Sequence, residues 1–498
     1  GKIREDPRRR KKASVDNMNY KLVFHILGLI LRVEAVLMLP AAVIGLSTGR
    51  DGTAFLLSAA ITLAVGQALV MLPGKNMKMQ ARDGFAAVAL CWICLSLFGA
   101  LPYVFSGVLP NYVDAVFETV SGFTTTGATV FTFMEGQPLG VLFWRAQTQW
   151  MGGVGVLVLA LALVPKLGEG SVFLMRAESP GPIKSKLTPR VGDTAKILYS
   201  IYIGLTAAEI LCLRLAGMPW FDCVIHAFTT ISTGGFSVKN ASIAAYGSLT
   251  IEWIIIVFMF LSGINFALLY YAVCRNFRAV FQSGELRSYT LMTVGASALI
   301  VLNLVCHASW ALDARTVTDS VFQVVTLMTT TGYMTYDYVL WPTFSQVVLV
   351  LVMFAGGCAG STAGGIKQIR VVLLMKNLRR EVQRILHPRV VTTIKSDGER
   401  VDEPILSGIT LFFFAYILLL LIGTLVVAWD DVGFTAAFTA SLTCISNVGP
   451  AFDILGPTGN FFALSNVSKL FLSLNMLLGR LEIMPLLLLL FPSLWRKR

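Results

Sequence analysis

The sequence predicts an all-α polytopic membrane protein, in which four helix–pore-loop–helix repeats surround one pore and two additional N-terminal transmembrane helices precede them. Three observations support this prediction. Hydrophobic residues make up 55% of the 498 residues and charged residues only 14%, whereas a soluble domain is about one quarter charged. Apolar stretches long enough to cross a hydrocarbon core of about 30 Å recur along the chain. A short segment ending in a Ser/Thr cluster and a glycine also recurs.

The apolar stretches define the predicted crossings. Examples lie at 85–105, 141–164, 197–215, 251–273, 405–427 and 470–491. Two more, near 22–46 and 54–72, precede the first repeat. Together they predict about ten crossings with both termini in the cytoplasm.

The charged residues predict the orientation. The net charge is +12, but the basic residues lie in short segments between spans, which argues against a nucleic-acid partner and places these segments in the cytoplasm. The longest basic segment is 367–400. The opposite face carries mainly acids, such as Asp114, Asp222 and Asp319, against only Lys239 and Arg315. An acidic outer mouth would concentrate cations.

The predicted organisation has one leader, five membrane-embedded parts and one cytoplasmic loop. Residues 1–17 are a basic leader, either a cloning remnant or a disordered tail, and are excluded from the fold. The remaining parts are two additional transmembrane helices at 18–74, repeat 1 at 84–165, repeat 2 at 193–280, repeat 3 at 286–380 with a glycine-rich break at 355–365, a cytoplasmic basic loop at 381–403, and repeat 4 at 404–498. The eight cysteines have neither metal-finger spacing nor a disulfide pattern.

The repeated segment pairs an acid with a later glycine. Three copies run from Asp114 to Gly127, from Asp222 to Gly234 and from Asp319 to Gly332, while the fourth, 434–449, lacks the acid. Each copy is too short and too polar to cross a bilayer, so it fits a half-helix that enters and leaves by the same face.

The loop residues suit a cation that must lose its water. Rings of backbone carbonyls can replace the hydration shell of potassium, and glycine reaches the positive-φ conformations that turn successive carbonyls inward. The predicted filter comprises Thr125, Thr126, Gly127, Thr233, Gly234, Thr331, Gly332, Asn447, Val448 and Gly449. Potassium is expected at Thr126, Gly127, Thr233, Gly234, Thr331, Gly332, Val448 and Gly449.

At these residues the chain resembles the Trk/Ktr/HKT superfamily of potassium transporters, and its two leading spans are most like the membrane subunit of the Trk branch. The resemblance extends from about Met18 to the C-terminus and includes Leu478-Gly-Arg-Leu-Glu482. It implies that Gly127, Gly234, Gly332 and Gly449 are the filter glycines. Serine at the first of these accompanies sodium transport in plant members, so four glycines favour potassium over a weakly selective K⁺/Na⁺ pathway.

The resemblance also implies a location and partners. It places the chain in a bacterial inner membrane as a homodimer, bound by a cytosolic nucleotide-binding ring of RCK/KTN domains. The basic segment 367–400 is the candidate contact for that ring, and anionic lipid head groups are the alternative contact.

A gate is predicted below the filter. The run 355–365 contains Gly356, Gly357, Gly360, Gly364 and Gly365, and so many glycines would destabilise a helix by several kcal/mol relative to alanine. The segment is expected to be unwound and to line the pathway, with close helix packing as the alternative. It nearly matches a phosphate loop, but Ile366 replaces the required lysine.

Arg480 lies in an apolar span, where an ionised group predicts a functional site. We expect it to face the pore as an electrostatic barrier. The alternative is that it pairs with Glu482 or with backbone at a helix contact.

The function classes that remain open are all transport. Proton- or sodium-coupled symport is the alternative to channel-like uptake, although His25, His226, His307 and His387 are too scattered for a proton relay. No clustered catalytic set or nucleotide motif predicts an enzyme. No cofactor is expected; potassium is the transported ion.

Overall fold

The computed structural model describes residues 19–71, 81–153, 155, 191–388 and 392–490. The predicted leader 1–17, part of the second leading span and of the first repeat, and the basic end at 491–498 lie outside the described residues. Where described, the chain is mostly helical, with little strand. Its helices are α1 Tyr20–Leu37, α2 Leu39–Thr48, α3 Gly52–Val70, α4 Ala81–Gly99, α5 Leu101–Phe105, α6 Tyr112–Phe123, α7 Leu139–Gly153, α8 Val191–Leu215, α9 Trp220–Ile231, α10 Leu249–Ser262, α11 Phe266–Val273, α12 Phe277–Gln282, α13 Gly284–His307, α14 Ala314–Met328, α15 Thr343–Ala355, α16 Gln368–Leu386, α17 Glu403–Ala428, α18 Phe434–Ser446, α19 Asn466–Arg480 and α20 Met484–Leu490.

One antiparallel hairpin and three 3₁₀ helices complete the described elements. The hairpin pairs β1 Lys395–Ser396 with β2 Glu399–Arg400. It lies in the basic segment that follows α16. Because α16 continues to Leu386, the predicted boundary at residue 380 falls inside a helix.

Six described helices are long and apolar enough to cross a membrane. They are Tyr20–Thr48, Gly52–Val70, Asp83–Phe105, Asp193–Leu215, Gly284–His307 and Glu403–Ala428. A seventh crossing arises if α10 and α11 form one span, but they meet at 104°. The predicted continuous span 251–273 is therefore sharply bent, next to Gly263. The chain is thus a helical membrane protein with several crossings.

The two leading spans pack closely on each other. Pro40 lies in the first turn of α2, which directly follows α1 in the first span. The backbones of α1 and α3 meet at two glycines, because a Cβ atom added at Gly28 would lie 2.6 Å from the carbonyl oxygen of Gly66. Small residues allow such close approach between membrane helices.

Four of the helices that are too short to cross a bilayer carry the repeated segment of the sequence analysis. They are α6, α9, α14 and α18, with 12, 12, 15 and 13 residues, whereas a crossing takes about 20. Most residues in each are buried, and each directly follows one of the long apolar helices. The lengths of these helices do not test the arrangement of four repeats around one pore, which stays a prediction.

The helix after each short helix stops early. These helices end at Gly153, Ser262, Ala355 and Arg480. A Cβ atom at Gly152 would overlap the carbonyl oxygen of Phe123, and one at Gly479 would overlap that of Ile445. Glycine therefore lets these two helices pass close to the C-terminal ends of α6 and α18.

Candidate functional site

The four short helices end in the same unusual backbone conformation. Each is followed by a glycine with φ between 74° and 107°, namely Gly127, Gly235, Gly332 and Gly449. Two positions before each glycine lies a residue other than glycine with φ between 55° and 58°: Thr125, Thr233, Thr330 and Asn447. Such conformations are uncommon outside glycine and cluster at functional sites. Four matching turns indicate one shared structural role.

The backbone hydrogen bonds repeat as well. The backbone N–H of the residue immediately before each of these glycines donates to a carbonyl in the short helix that precedes it. These bonds are Thr126 to Ser121 at 2.9 Å, Gly234 to Thr229 at 2.8 Å, Thr331 to Thr326 at 2.7 Å and Val448 to Thr443 at 2.9 Å. The same turn is therefore built from four different sequences.

This geometry corrects the alignment of the second segment by one residue. Gly235, not Gly234, has the positive φ, and Gly234 occupies the position of Thr126, Thr331 and Val448. The spacing from Asp222 to Gly235 also equals those from Asp114 to Gly127 and from Asp319 to Gly332. Two consecutive glycines hid this register in the sequence.

The four glycines form a closed ring, called here the glycine ring: Gly127, Gly235, Gly332 and Gly449. A Cβ atom at Gly127 would overlap the carbonyl oxygen of Gly234, one at Gly235 that of Thr331, and one at Gly332 that of Val448. The cycle closes at Gly449, where an added Cβ would lie 2.7 Å from the carbonyl oxygen of Thr126. The loop segments that contain these glycines are called here the four strands, although they belong to no β-sheet. Each strand thus contacts the next, and the fourth contacts the first.

The side chains behind the glycine ring are buried hydroxyls and amides that hold the strands. Thr124 and Thr126 share a hydrogen bond of 2.8 Å between their hydroxyls, and so do Thr329 and Thr331. Asn447 Nδ2 donates to Thr126 Oγ1 at 2.9 Å and so joins the fourth strand to the first. Such a buried network fixes one arrangement of the backbone.

Gln149 is a supporting residue that the sequence analysis missed. Its Nε2 donates to the carbonyl oxygen of Gly234 at 2.6 Å, and its Oε1 accepts from the N–H of Phe236 at 3.1 Å. A carbonyl oxygen has two lone pairs, so Gly234 can also face the centre of the ring. The polar run ending at Gln149 within an apolar stretch was the available signal.

A cavity opens on one side of the glycine ring. Its volume is about 240 Å³ and all four ring glycines line it. Polar groups of Ser237, Lys239 and Asn460 complete the wall. Water or a hydrated cation can therefore reach the ring from this side.

Three of the acids on the face expected to be the outer mouth form ion pairs. Arg145, which is 3% exposed, donates to Glu118 at 2.5 Å, and Arg315 pairs with Asp319 at 2.9 Å. Lys469 Nζ donates to Asp114 at 2.7 Å. These three pairs reduce the acidic field inferred from the sequence, and Lys469 is a cation that the sequence analysis did not place on this side.

Breaking the pair between Asp114 and Lys469 should cost stability. In Asp114→Asn the buried ammonium loses its counter-charge, and we expect the free energy of unfolding to fall by about 3–5 kcal/mol. Thermal unfolding of the purified protein measures this change. The matched control is Asp114→Asn with Lys469→Met, which removes both charges and should recover part of the loss. A single variant as stable as the original chain would contradict the assignment.

The glycine-rich segment lies against the C-terminal ends of three short helices. Thr362 Oγ1 donates to the carbonyl of Ile231 at 3.1 Å. The N–H of Gly364 donates to Thr330 Oγ1 at 2.6 Å, and the N–H of Gly365 donates to the carbonyl of Ser446 at 2.8 Å. Residues 356–367 are not helical. Of the predicted gate glycines, Gly356, Gly360 and Gly365 have positive φ.

Arg480 links this segment to the end of α7. Its guanidinium donates to the carbonyl of Thr362 at 2.7 Å and to those of Gly152 and Gly153 at 2.5 Å each. Glu482 instead pairs with Arg370. Of the two alternative pairings, the structure therefore has the one with backbone and not the one with Glu482.

Comparisons with known proteins show which family the chain resembles. The family model described as TrkH, cation transport protein, matches residues 51–497. The Trk system potassium uptake protein TrkH of Salmonella typhimurium is 38% identical over 487 residues, covering 96% of this chain and 100% of the relative. TrkG of Escherichia coli is 35% identical over 488 residues, covering 97% and 100%.

A solved structure agrees. The crystal structure of the potassium transporter TrkH from Vibrio parahaemolyticus matches with a TM-score of 0.85 and 35% identity, covering 96% of this chain and 100% of that one. The resemblance to the Trk branch is thereby confirmed. This multi-pass protein of the cell membrane belongs to the TrkH family of cation transport proteins.

Proposed function

We propose that the protein takes up potassium across the cell membrane through a filter formed by four strands. The observation that carries this proposal is the closed glycine ring, in which each glycine lies against the carbonyl before the next one. Four repeats arranged around one pore would produce such a cycle. The names of the relatives as potassium uptake proteins support the same ion.

The ion ligands are proposed to be the carbonyl oxygens of Thr126, Gly234, Thr331 and Val448, with those of the ring glycines forming the adjacent layer. Their neighbours Thr125, Thr233 and Asn447 set the direction of the strands through their positive φ. Gly235 replaces Gly234 as the proposed filter glycine of the second repeat. Backbone carbonyls can exchange for the hydration shell of potassium.

The gate is proposed to be the glycine-rich segment together with Arg480. The segment binds the ends of α9, α14 and α18, so its movement would open or close the path on the side of the ring away from the cavity. Irregular backbone at membrane depth is tolerated where it lines such a path. The cation on Arg480 would repel an approaching potassium ion until the segment moves.

The broader assembly follows from the family resemblance. We propose a homodimer with both termini in the cytoplasm and a cytosolic nucleotide-binding ring of RCK/KTN domains as the regulator. The exposed basic side chains around α16, among them Arg379 and Arg384, are the proposed contact surface, with anionic lipid as the competing partner. None of these partners is a nucleic acid.

Ion flux in proteoliposomes tests the function. The purified chain should take up rubidium, potassium should compete with rubidium, and sodium should compete weakly. In Gly127→Ser the new Cβ would overlap the carbonyl of Gly234. Because this displaces a proposed ion ligand, the preference for potassium over sodium should fall about tenfold or more, which corresponds to about 1.4 kcal/mol or more of differential binding.

Two outcomes would favour the alternatives. Equal competition by sodium in the unaltered chain would indicate a weakly selective pathway. Uptake at zero membrane potential that requires a proton or sodium gradient would indicate coupled symport.

A further inference from the structure

Glu285 is a buried acid in the first turn of α13, and it binds the glycine-rich segment. Its Oε1 accepts from the N–H of Ala359 at 2.6 Å and from the N–H of Ile369 at 3.1 Å. The residue is 8% exposed, so water competes little for these two bonds. One carboxyl oxygen therefore holds two points of the chain, one inside the run 355–365 and one just after it.

The second of these bonds lies at the N-terminus of α16. The first N–H groups of a helix have no acceptor within the helix. The N-cap residue of α16 is Lys367, whose ammonium donates and cannot accept. The N–H of Gln368 donates instead to the carbonyl of Gly357 at 2.9 Å, and that of Ile369 donates to Glu285. Glu285 thus fixes the beginning of α16 relative to the glycine-rich segment.

The hairpin β1–β2 binds both helices that this acid joins. Asp397 Oδ1 accepts from the N–H of Gly284, the first residue of α13, at 2.7 Å. Asp397 and Gly398 form the turn of the hairpin with φ +49° and +88°, as a tight two-residue turn requires. Lys376 Nζ, in α16, donates to the carbonyl of Lys395 at 2.8 Å. A displacement of the hairpin would therefore be transmitted to the beginning of α13.

The glycine-rich segment depends on such fixed points because its own backbone is permissive. Gly356, Gly360 and Gly365 have positive φ, a region that glycine enters about as readily as the negative one. Loss of the Glu285 oxygen would leave two buried N–H donors unsatisfied, which is more costly than the loss of an exposed hydrogen bond. The segment would then shift to find other acceptors.

We propose that Glu285 is a positioning residue of the gate, which clamps the glycine-rich segment to the beginning of α13, and that Asp397 couples this clamp to the hairpin. Because the hairpin belongs to the basic segment proposed to bind a cytosolic regulator, the coupling gives that regulator a route to the gate. The inference rests on the proposed function, since it assumes that the glycine-rich segment closes the ion path.

Rubidium and sodium uptake by proteoliposomes tests the clamp. Glu285→Leu keeps most of the side-chain volume but removes the acceptor, and rubidium uptake should rise about tenfold, the factor expected when a buried donor is left unsatisfied. The ratio of rubidium to sodium uptake should change less, because the lost bonds are to the glycine-rich segment and α16 and not to the filter strands. Glu285→Gln keeps an oxygen in the same place, so its uptake should rise no more than about two- to threefold, as expected for a weakened hydrogen bond.

A native cysteine reports the position of the segment directly. Cys358 lies within the run 355–365 and is fully buried, and Cys223 in α9 is equally buried. Alkylation by N-ethylmaleimide, followed by mass spectrometry of the peptides, measures the reaction of each thiol. Cys358 should react about tenfold faster in Glu285→Leu than in the unaltered chain, whereas Cys223 should keep its original rate. A general loss of stability would instead speed both reactions.

Asp397→Ala tests the coupling to the hairpin. It should raise rubidium uptake and the alkylation of Cys358 about two- to threefold, because an exposed hydrogen bond contributes less than a buried one. The matched control is Glu399→Ala, which removes another exposed acid of the same hairpin and should leave both measurements unchanged.

The outcomes separate the inference from the proposed function. If the unaltered chain takes up no rubidium, the proposed function fails, while the alkylation of Cys358 still tests the clamp. If it does take up rubidium, and well-folded Glu285→Leu shows neither a higher uptake nor faster alkylation, the clamp is wrong. Faster alkylation without a higher uptake would reject the role in gating.

The remaining variants decide the details. A Glu285→Gln variant whose uptake rises as far as that of Glu285→Leu would contradict the two hydrogen bonds of the clamp. Should Glu285→Leu not fold, Asp397→Ala decides: uptake and alkylation equal to those of Glu399→Ala would reject the proposal.

Discussion

Replacing Gly235 by alanine is expected to reduce potassium uptake at least about tenfold, whereas replacing Gly234 by alanine is expected to have a smaller effect. Gly235 has φ +74° and an added Cβ would overlap the carbonyl of Thr331. A side chain in that conformation costs about 1–3 kcal/mol, and relief of the clash would move a proposed ion ligand. At Gly234, φ is not positive, and the atoms nearest to an added Cβ are those at the end of the Gln149 side chain, which can shift with the loss of its hydrogen bonds to Gly234 and Phe236.

Rubidium uptake by the two variants, at equal amounts of purified protein, measures this difference. The pair is closely matched because the residues are adjacent and the substitution is the same. A Gly234→Ala variant more severely impaired than Gly235→Ala would contradict the corrected alignment and restore Gly234 as the filter glycine.

Replacing Arg480 by alanine is expected to raise ion flux severalfold. The change removes three hydrogen bonds between the guanidinium and the carbonyls of Thr362, Gly152 and Gly153. Hydrogen bonds to charged groups contribute about 1.5–3 kcal/mol each, so their loss would free the glycine-rich segment, and the repelling charge would disappear with it. Arg480→Lys keeps the charge but not the planar fork, so its flux should lie between the two.

The matched control is Arg370→Ala. Arg370 pairs with Glu482, on the adjoining part of the chain, and its guanidinium lies 4.1 Å from the centre of the Phe412 ring. Arg370 donates to the carbonyl of Ile366 at 3.2 Å, just after the predicted gate run 355–365. It does not bind the gate carbonyl of Thr362 that Arg480 holds, so ion flux through Arg370→Ala should stay near that of the unaltered chain. Equal flux through Arg480→Ala and the unaltered chain, with both well folded, would reject the gate.

Much of the architecture follows from local patterns. Long apolar stretches predict crossings because membrane helices must satisfy their own backbone. A Ser/Thr cluster before glycine predicts a turn with positive φ, and the turns at Gly127, Gly332 and Gly449 have it. The run at 355–365 contains too many glycines for a stable helix, and α15 stops at Ala355.

The remainder depends on contacts between distant parts of the chain. Asp114 and Lys469 are 355 residues apart, so no local pattern could pair them. Gln149, in the first repeat, reaches the carbonyl of Gly234 in the second. The register of Gly234 and Gly235 was ambiguous because either glycine satisfies the local pattern, and only the neighbouring strand distinguishes them.

The bend between α10 and α11 is another feature that local sequence patterns do not predict. Hydropathy predicts a continuous span at 251–273, since nearly every residue there is apolar, yet α10 and α11 meet at 104°. The bend follows from tertiary contacts: the N–H of Cys358 donates to the carbonyl of Gly263 at 2.9 Å, and the N–H of Phe266 donates to that of Gly360 at 3.0 Å. The glycine-rich segment of the third repeat thus occupies the break in the second.

The central claim is that the four strands bind the ion with backbone carbonyls at one ring. Anomalous diffraction from crystals grown in rubidium measures this directly. We predict a rubidium peak on the axis of the glycine ring, between the carbonyl oxygens of Thr126, Gly234, Thr331 and Val448. Rubidium bound elsewhere along the chain, with no peak between these four oxygens, would contradict the account.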